Sequence, residues 1–126
     1  MRKLRTTAVA DETILDILSY SEETFGSLAA DRYQALIVSA LDDIATGAST
    51  SLVRWLRYGS RRLGLYHIRH SRTASAAGSR VKRPRHLVFF EVTADEIIVL
   101  GLVHETMDRP RALRRLLDPA AEPEAG

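Results

Sequence analysis

The sequence contains no cysteine, so disulfide bonds and thiolate metal sites are excluded. Its longest apolar run covers residues 97–103, far short of the ~20 residues that a membrane-spanning helix requires. Basic residues stand near the start (Arg2, Lys3 and Arg5), but the apolar core of a signal peptide does not follow them. We therefore expect a cytoplasmic protein that does not bind a membrane.

Acidic side chains are missing altogether between residues 44 and 90, a stretch that holds ten basic ones. The rest of the chain carries eight basic and sixteen acidic side chains, so the net charge of +2 conceals a strongly basic middle. Concentrated positive charge in a small protein is typical of binding to a polyanion such as nucleic acid or an acidic polypeptide. A solvated basic surface without a partner is the alternative interpretation.

The length and composition predict a single domain. A chain of 126 residues, 45% of them apolar, can bury one core but has no room for a second domain. We place this domain at residues 1–117. Residues 118–126 are rich in proline, alanine and glutamate, and we expect them to form a disordered C-terminal tail.

Two amphipathic helices are predicted in the first half of the chain, after a short edge strand at residues 3–8. The first helix has Asp11 as its N-cap and ends at Gly26, while the second is capped by Ser27 and ends before Gly47. The apolar residues of the second recur at helical spacing: Tyr33, Leu36, Ile37, Ala40, Leu41 and Ile44. Because the link is so short, the helices should form an antiparallel hairpin that packs its apolar stripe against a further layer.

The second half of the chain is predicted to supply that layer as strands at residues 63–71, 85–93 and 96–104. The last is apolar on both faces, which favours a central position. Residues 50–59 indicate a short helix or a packed loop, and a final helix is expected at residues 110–117. We therefore predict an α+β fold in the order β-α-α-β-β-β, with a mostly antiparallel sheet of about four strands and the helical hairpin on one face. The residues expected in its core are Tyr33, Leu36, Ile37, Leu41, Phe89, Val99 and Leu102.

Residues 72–85 form a long predicted loop between two of these strands. Small residues such as Gly78 separate its five cations, which are Arg72, Arg80, Lys82, Arg83 and Arg85. Long loops in compact domains are usually functional or mobile. A flexible basic hairpin can follow a phosphate backbone without a preformed pocket. We expect this loop to contact a nucleic-acid-bearing target or to form part of a clamp for a protein partner.

Short segments of the sequence together resemble one protein family. Residues 20–26 read Tyr-Ser-Glu-Glu-Thr-Phe-Gly, residues 30–33 read Ala-Asp-Arg-Tyr, and residues 83–86 read Arg-Pro-Arg-His. The end of the last strand, Val103 and His104, is followed by Met107 and Asp108. In this order and at these separations the segments resemble the ParE branch of the ParE/RelE toxin superfamily, over roughly residues 5–113.

The resemblance implies the toxin of a type II toxin–antitoxin operon, held inactive by a small antitoxin whose C-terminal segment wraps around it. It also implies a hetero-oligomeric complex, a heterotetramer or larger. ParE proteins are known as inhibitors of DNA gyrase, whereas RelE proteins cut messenger RNA on the ribosome. The basic loop is longer here than in the commonest pattern, so the target stays open between gyrase and the ribosome. A basic nucleic-acid-binding module without toxicity is a third alternative.

The basic residues supply candidates for contacts with both partners. We expect an acidic antitoxin tail to form ion pairs with Arg57, Arg61, Arg62 and Arg69. The target is expected to contact the basic loop and the C-terminal motif of the resemblance, through Arg72, Arg80, Lys82, Arg83, Arg85, His104, Met107, Asp108 and Arg111.

A ribosome-dependent nuclease needs a base, an acid and cations that stabilise the charge of the transition state. His86 or His104 offers proton transfer, but the chain has Met107 and Asp108 where RelE-type sites carry a basic cluster with a tyrosine or histidine. We interpret His104 as a structural residue that bonds to a backbone carbonyl or to Asp108. We therefore expect a non-enzymatic protein without catalytic residues. If it is an enzyme, the resemblance implies an mRNA endoribonuclease.

No metal or cofactor is expected. His67 and His70 are separated by an odd number of residues on a predicted strand, which directs them to opposite faces of the sheet. They therefore do not form a metal site together. The sequence also lacks a zinc pattern, a glycine-rich phosphate loop and a nucleophile motif.

Overall fold

The computed structural model describes residues 2–47, 50–74 and 80–118. Its strands and helices follow the order β1 (Lys3–Thr6), α1 (Ala8–Phe25), α2 (Ser27–Thr46), β2 (Arg54–Tyr58), β3 (Arg61–His67), β4 (His86–Val92), β5 (Glu96–His104) and α3 (Arg109–Leu117). Short 3-10 helices, Thr50–Leu52 and Ile68–Ala74, precede β2 and follow β3. The fold is α+β, as the sequence predicts. The expected tail beyond Asp118 and Gly78 of the basic loop lie outside the described residues.

The described strands form one sheet of five in the order β1-β5-β4-β3-β2. The pair β1–β5 is parallel and all the other pairs are antiparallel. This is one strand more than the expected number of about four. The additional strand is β2, which occupies part of the segment for which the sequence indicated a helix or a packed loop. A two-residue turn with Gly59 at a φ of 62° joins β2 to β3, and the pairing across this turn extends β2.

The central position predicted for residues 96–104 is confirmed, because β5 lies between β1 and β4. The register of β4 and β5 shifts between Phe89 and Phe90. As a result Val99 and Leu102 share one face of the sheet, although they are an odd number of residues apart. Leu100 and Val103 point to the opposite face.

Thr7, which immediately precedes α1, and Thr13 within α1 bind the backbone of β5 at this irregularity. The Thr7 hydroxyl donates to the carbonyl oxygen of Leu100 at 3.3 Å. The backbone N–H of Leu102 donates to the Thr13 hydroxyl oxygen at 3.0 Å. Buried backbone polar groups need such partners where the ladder of hydrogen bonds between strands is interrupted. The two threonines therefore supply hydrogen bonds that β5 needs at its register shift.

The two faces of the sheet carry separate hydrophobic clusters. The predicted helical hairpin of α1 and α2 covers one face, where Leu36, Ile37, Val99 and Leu102 are buried. Helix α3 covers the other through Ala112, Leu113 and Leu116, against residues that include Phe89. Of the residues expected in the core, Tyr33 and Leu41 are only half-buried, and the other five are buried.

Local hydrogen bonds explain why several helix boundaries differ from the predicted ones. Helix α1 begins at Ala8 because Thr7 is its N-cap, accepting from the Ala10 N–H at 3.0 Å. Asp11 therefore lies in the first turn of the helix and is not its cap. Gly26 caps α2, so Ser27 is the first helical residue.

Strand β3 ends at His67, four residues earlier than predicted. The chain then turns into a 3-10 helix because Ser71 is held by two buried or half-buried groups. Its hydroxyl donates to Asp43 of α2 at 2.6 Å and lies 2.8 Å from the Tyr66 hydroxyl. This anchors residues 68–74 against α2 instead of in the sheet.

None of the helices in the described ranges is long and apolar enough to cross a membrane. Even α2, the longest of them with 20 residues, carries four charged side chains, which are Asp31, Arg32, Asp42 and Asp43.

We expect Gly64→Ala to destabilise the fold. A Cβ atom at this position would lie 2.3 Å from the Phe90 ring, which is 1% exposed and contacts Trp55 edge-on with ring centroids 5.7 Å apart. Because the buried ring would have to shift, the overpacking should cost about 1–3 kcal/mol of unfolding free energy, measured by urea denaturation.

The control is the double variant Gly64→Ala with Phe90→Leu, which should lose less stability than the two single changes together. An unchanged urea midpoint in Gly64→Ala would contradict the packing described for this strand pair.

Candidate functional site

All four histidines of the chain meet at one end of the sheet. His67 ends β3, His86 begins β4 and His104 ends β5, while His70 lies in the following 3-10 helix. Antiparallel pairing aligns His86 with His104, and their ring centroids are 5.3 Å apart. The rings of His67 and His70 are 6.5 Å apart. Residues distant in sequence thus form one polar cluster, which we call the histidine end.

A groove of about 930 Å³ opens beside the histidine end, between the helical hairpin and residues 80–86. Most of its lining is apolar and comes from Ile17, Tyr20, Phe25, Ala29 and Val81. Its cationic lining residues are Arg32, Arg80, Lys82, Arg83 and Arg85, and His86 and His104 also line it. The groove therefore combines an apolar surface with a concentration of positive charge.

Tyr33 connects the second helix to this cluster. Its hydroxyl oxygen accepts the backbone N–H of Arg85 at 3.0 Å and lies 2.6 Å from Nδ1 of His86. The two groups share one hydrogen bond, whose donor depends on the tautomer of His86. Burial, followed by the nearby charge of His104, lowers the pKa of His86 to about 4. His86 is therefore neutral at pH 7. Burial raises the pKa of Tyr33.

Glu105 forms a second hydrogen-bonded unit at the histidine end. The His67 Nδ1 accepts the backbone N–H of Arg69 at 3.1 Å, so the proton on Nε2 is donated to Glu105 Oε1 at 2.9 Å. Arg85 Nη1 donates to the other carboxylate oxygen at 3.0 Å. These bonds from His67 and then Arg85 lower the pKa of Glu105 to about 2. The carboxylate stays charged and holds Arg85 beside the groove.

The structure corrects the hydrogen-bond partner predicted for His104. Its Nδ1 accepts the Thr106 backbone N–H at 3.2 Å and lies 2.8 Å from the Thr106 hydroxyl, so it bonds neither to a carbonyl nor to Asp108. Asp108 is instead the N-cap of α3 and accepts the Arg111 N–H at 3.4 Å. Met107 is exposed. Of the expected C-terminal target residues, only His104 lines the groove, whereas Met107, Asp108 and Arg111 do not.

The arginines expected to contact an antitoxin fall into two separate groups. Arg57, Arg61 and Arg62 lie on the β2–β3 hairpin, whereas Arg69 follows the other end of β3. A strand of this length spans ~20 Å, so the four residues do not form one patch. Arg61 forms an ion pair with Glu91 at 2.6 Å. The Arg62 guanidinium lies over the Trp55 ring, 4.3 Å from its centroid.

The ends of the predicted basic loop are held together at the groove. Arg72 Nε donates to the backbone carbonyl of Val81, which brings the 3-10 helix against the segment before β4. The expected target residues Arg80, Lys82, Arg83 and Arg85 all line the groove. Residues 75–79 of the loop lie outside the described residues.

The prediction that His67 and His70 point to opposite faces of a strand is wrong, because β3 ends at His67. Within residues 2–47, 50–74 and 80–118, no group of three or more histidine and carboxylate side chains is arranged to hold a metal ion.

Two contributors to the site were not recognised from the sequence. Tyr33 was assigned to the core because it falls on the apolar stripe of the second helix, and Glu105 follows the predicted end of the last strand. The strand ends carried a usable signal: aligning residue 86 with residue 104 in an antiparallel pair brings Glu105 beside Arg85. No local pattern predicts the bond from Tyr33 to His86.

Comparison with known proteins finds no family model that matches the chain and no curated protein that matches it.

We expect His86 to make the protein less stable in mild acid. The unfolded histidine takes up a proton near pH 6.5, whereas the folded one resists protonation until about pH 4. The unfolded state therefore binds more protons between these values, and stability falls as the pH decreases through this window. Allowing for partial exposure, His86 should contribute a loss of about 1–2 kcal/mol between pH 7 and pH 5.

His86→Asn is the informative variant, since asparagine still offers Tyr33 an acceptor but does not titrate. Urea denaturation of both proteins from pH 7 to pH 5 should give a flatter pH dependence for the variant. Identical pH profiles would show that His86 does not resist protonation in the folded protein.

Proposed function

We propose that the chain is the toxin of a type II toxin–antitoxin pair, acts by docking on its target, and is neutralised by an acidic antitoxin in a hetero-oligomeric complex in the cytoplasm. The observation that carries this proposal is the groove of about 930 Å³ between the helical hairpin and residues 80–86. Its apolar lining and five cationic side chains fit an amphipathic, acidic polypeptide segment.

Exposed apolar side chains at the bend of the hairpin support a protein partner. Tyr20, Phe25 and Leu28 are 64%, 69% and 62% exposed, and the rings of Tyr20 and Phe25 meet edge-on at 6.5 Å. Contiguous apolar surface of this kind is typical of binding sites. Two of the three residues also line the groove, so the apolar surface continues into it.

The positions of the ParE-like segments also support the proposal. Residues 20–26 form the end of α1 and the link to α2, and residues 30–33 lie near the start of α2. Residues 83–86 lead into β4, which begins at His86. These segments and His104 each contribute side chains to the lining of the same groove. Segments that are scattered over 85 residues of sequence thus meet at one surface, as expected for the shared features of a binding site. In this proposal the five-stranded sheet is a RelE/ParE-like sheet with one additional edge strand.

The hydrogen bonds of the histidine end favour docking over hydrolysis. His86 has a pKa of about 4, so it is not a proton donor at pH 7, and its Nδ1 is occupied by Tyr33. Glu105 is similarly occupied by His67 and Arg85. DNA gyrase is the target that the family resemblance implies for a non-enzymatic toxin.

Cleavage of RNA in the manner of RelE is a second candidate function. The observation that favours it is the meeting of His86 and His104 with Arg83 and Arg85 at one groove. A neutral His86 can accept a proton, His104 can donate one, and the two arginines can stabilise negative charge on phosphate. A ribosome-dependent nuclease needs these three functions.

We expect charge reversal at the groove to weaken neutralisation by the antitoxin. The variant Lys82→Glu with Arg83→Glu should slow antitoxin association about tenfold at low salt and flatten its salt dependence, because it removes ionic steering. The matched control, Lys3→Glu with Arg114→Glu, makes the same change in net charge on exposed residues outside the groove. Stopped-flow association rates over a salt series measure the effect. Equal rates for the two double variants would contradict the assignment of the groove to the antitoxin.

The two candidate functions predict opposite outcomes for His104→Asn. A docking toxin should inhibit gyrase supercoiling, leave ribosome-bound messenger RNA uncut and retain growth inhibition within about twofold in this variant. A nuclease should produce cuts in a primer-extension assay and lose them by ~100-fold or more in the variant. If expression of the unaltered protein without an antitoxin does not inhibit growth, both candidate functions are contradicted.

A further inference from the structure

We propose that β2 is a docking edge for an extended, acidic segment of another polypeptide, which pairs with it as an additional strand. Among the described strands, β2 is the last in the sheet order and pairs only with β3. Four of its five residues are exposed and only Leu56 is half-buried. An uncovered edge strand presents unpaired backbone donors and acceptors that favour strand addition.

The hairpin geometry identifies which backbone groups are available. Tyr58 and Arg61 flank the two-residue turn and form a hydrogen-bonded pair, and such pairs alternate along an antiparallel ladder. Leu56 and Arg54 therefore bond to β3, while the N–H and C=O groups of Trp55 and Arg57 point away from the sheet. Among the described residues, no turn, loop or side-chain hydrogen bond engages the backbone of Trp55 or Arg57. These four groups match the spacing of an incoming strand.

The side chains around this edge define the charge of the partner. Arg54 and Arg57 are exposed, and neither forms an ion pair with an acidic side chain of the described residues. Arg62 lies opposite Arg57 and adds a further cation beside the edge. A strand that carries glutamate or aspartate would therefore form cross-strand ion pairs, which stabilise sheets.

The same charges disfavour pairing between two copies of β2. Antiparallel pairing of this strand with itself would place Arg54 and Arg57 of both copies on one two-stranded ribbon that has no acidic side chain. Neighbouring like charges without a compensating carboxylate destabilise such a pair. The occupant that fits is consequently an acidic strand from a different chain.

Aromatic side chains supply apolar contacts on both faces of the edge. Trp55 is 36% exposed and shares a face with Arg57, while Tyr58 is 42% exposed on the opposite face. The Trp55 ring is held in place by Phe90 and by the guanidinium of Arg62. Rigid, partly exposed aromatics of this type are frequent anchors in protein interfaces. The partner strand should therefore alternate acidic residues with apolar ones.

This surface is distinct from the groove at the histidine end, since no residue of β2 lines that groove. The inference does not depend on the proposed toxic activity. Binding to the β2 edge and inhibition of growth can be measured separately.

The test uses the full chain and a synthetic capped hexapeptide of sequence Glu-Val-Glu-Val-Asp-Val. Isothermal titration calorimetry should detect binding to the unaltered protein. Binding should be at least tenfold weaker for a peptide in which lysine replaces the acidic residues. It should also be at least tenfold weaker for a peptide in which alternate amides are methylated, because that peptide cannot form the ladder.

Arg57→Pro tests the same edge from the side of the protein. The Arg57 N–H points outward, so proline removes a donor to the partner and leaves the β2–β3 ladder intact. We expect at least tenfold weaker binding for Arg57→Pro, two- to fivefold weaker binding for Arg57→Ala, and no change for Arg114→Ala, which removes one charge from α3.

The inference is overturned if the methylated and unmethylated acidic peptides bind equally well, since attraction would then be purely ionic. This comparison uses the unaltered protein and stands even if Arg57→Pro does not fold. A single-stranded oligonucleotide of ten thymidines serves as a competitor. The inference is likewise overturned if this oligonucleotide displaces the peptide at a concentration below the Kd of the peptide.

Discussion

The burial of β5 on both of its faces is the constraint on which the other elements depend. Ile97, Val99 and Leu102 point to one face, and Leu100 and Val103 point to the other. A strand of this kind is stable only when both faces are covered and both edges are paired. The helical hairpin covers the first face and α3 covers the second, while β1 and β4 pair with the edges. Helices α1 and α3 and the two neighbouring strands therefore contact β5 directly, while α2 packs against α1 and the 3-10 helix Ile68–Ala74.

The location of the candidate site is determined by the end of β5. His104 is the last residue of β5, and the antiparallel neighbour begins there with His86. At this boundary the side chains pass from a dry core to a partly solvated surface, so polar groups need partners within the protein. Tyr33, Glu105 and the backbone of Arg85 supply them. Among the described residues, no buried side-chain nitrogen or oxygen lacks a hydrogen-bond partner. The neutrality of His86 and the charge of Glu105 are both consequences of this arrangement.

Folding divides the basic middle of the chain between two surfaces. The cations of residues 80–85 line the groove at the histidine end, whereas those of residues 54–62 lie on and beside the β2 edge. Both surfaces combine positive charge with exposed aromatic side chains. The described carboxylates beside them are Asp16, which lines the groove, Glu105, which pairs with Arg85, and Glu91, which pairs with Arg61. In the first the apolar component comes from the bend of the helical hairpin, and in the second it comes from Trp55 and Tyr58. The two proposed docking surfaces therefore share no residue.

The α+β class, the helical hairpin, the central position of β5 and the final helix were predictable because they depend on hydrophobic periodicity over many residues. The loop cations Arg80, Lys82, Arg83 and Arg85 were likewise predicted as a group, since local charge density is a property of sequence. Arg32, which also lines the groove, was not predicted, and Arg72 does not line it. Strand β2 was not predicted, because its stability depends on pairing with β3 and not on its own pattern. The start of α1 was misplaced because Thr7 and Asp11 are both acceptable N-caps, and only the fold shows which one is used.

The separation of Arg69 from Arg57, Arg61 and Arg62 was also decided by tertiary structure, because it depends on where β3 stops and on the bond from Ser71 to Asp43. The same holds for the bond between Tyr33 and His86, whose partners are 53 residues apart. The sequence by itself thus determined the class of the layers and the concentration of positive charge, since both arise from patterns among near neighbours. Tertiary structure alone decided which of those charges are paired and that the pKa of His86 is lowered, since burial and contacts between distant segments set those energies.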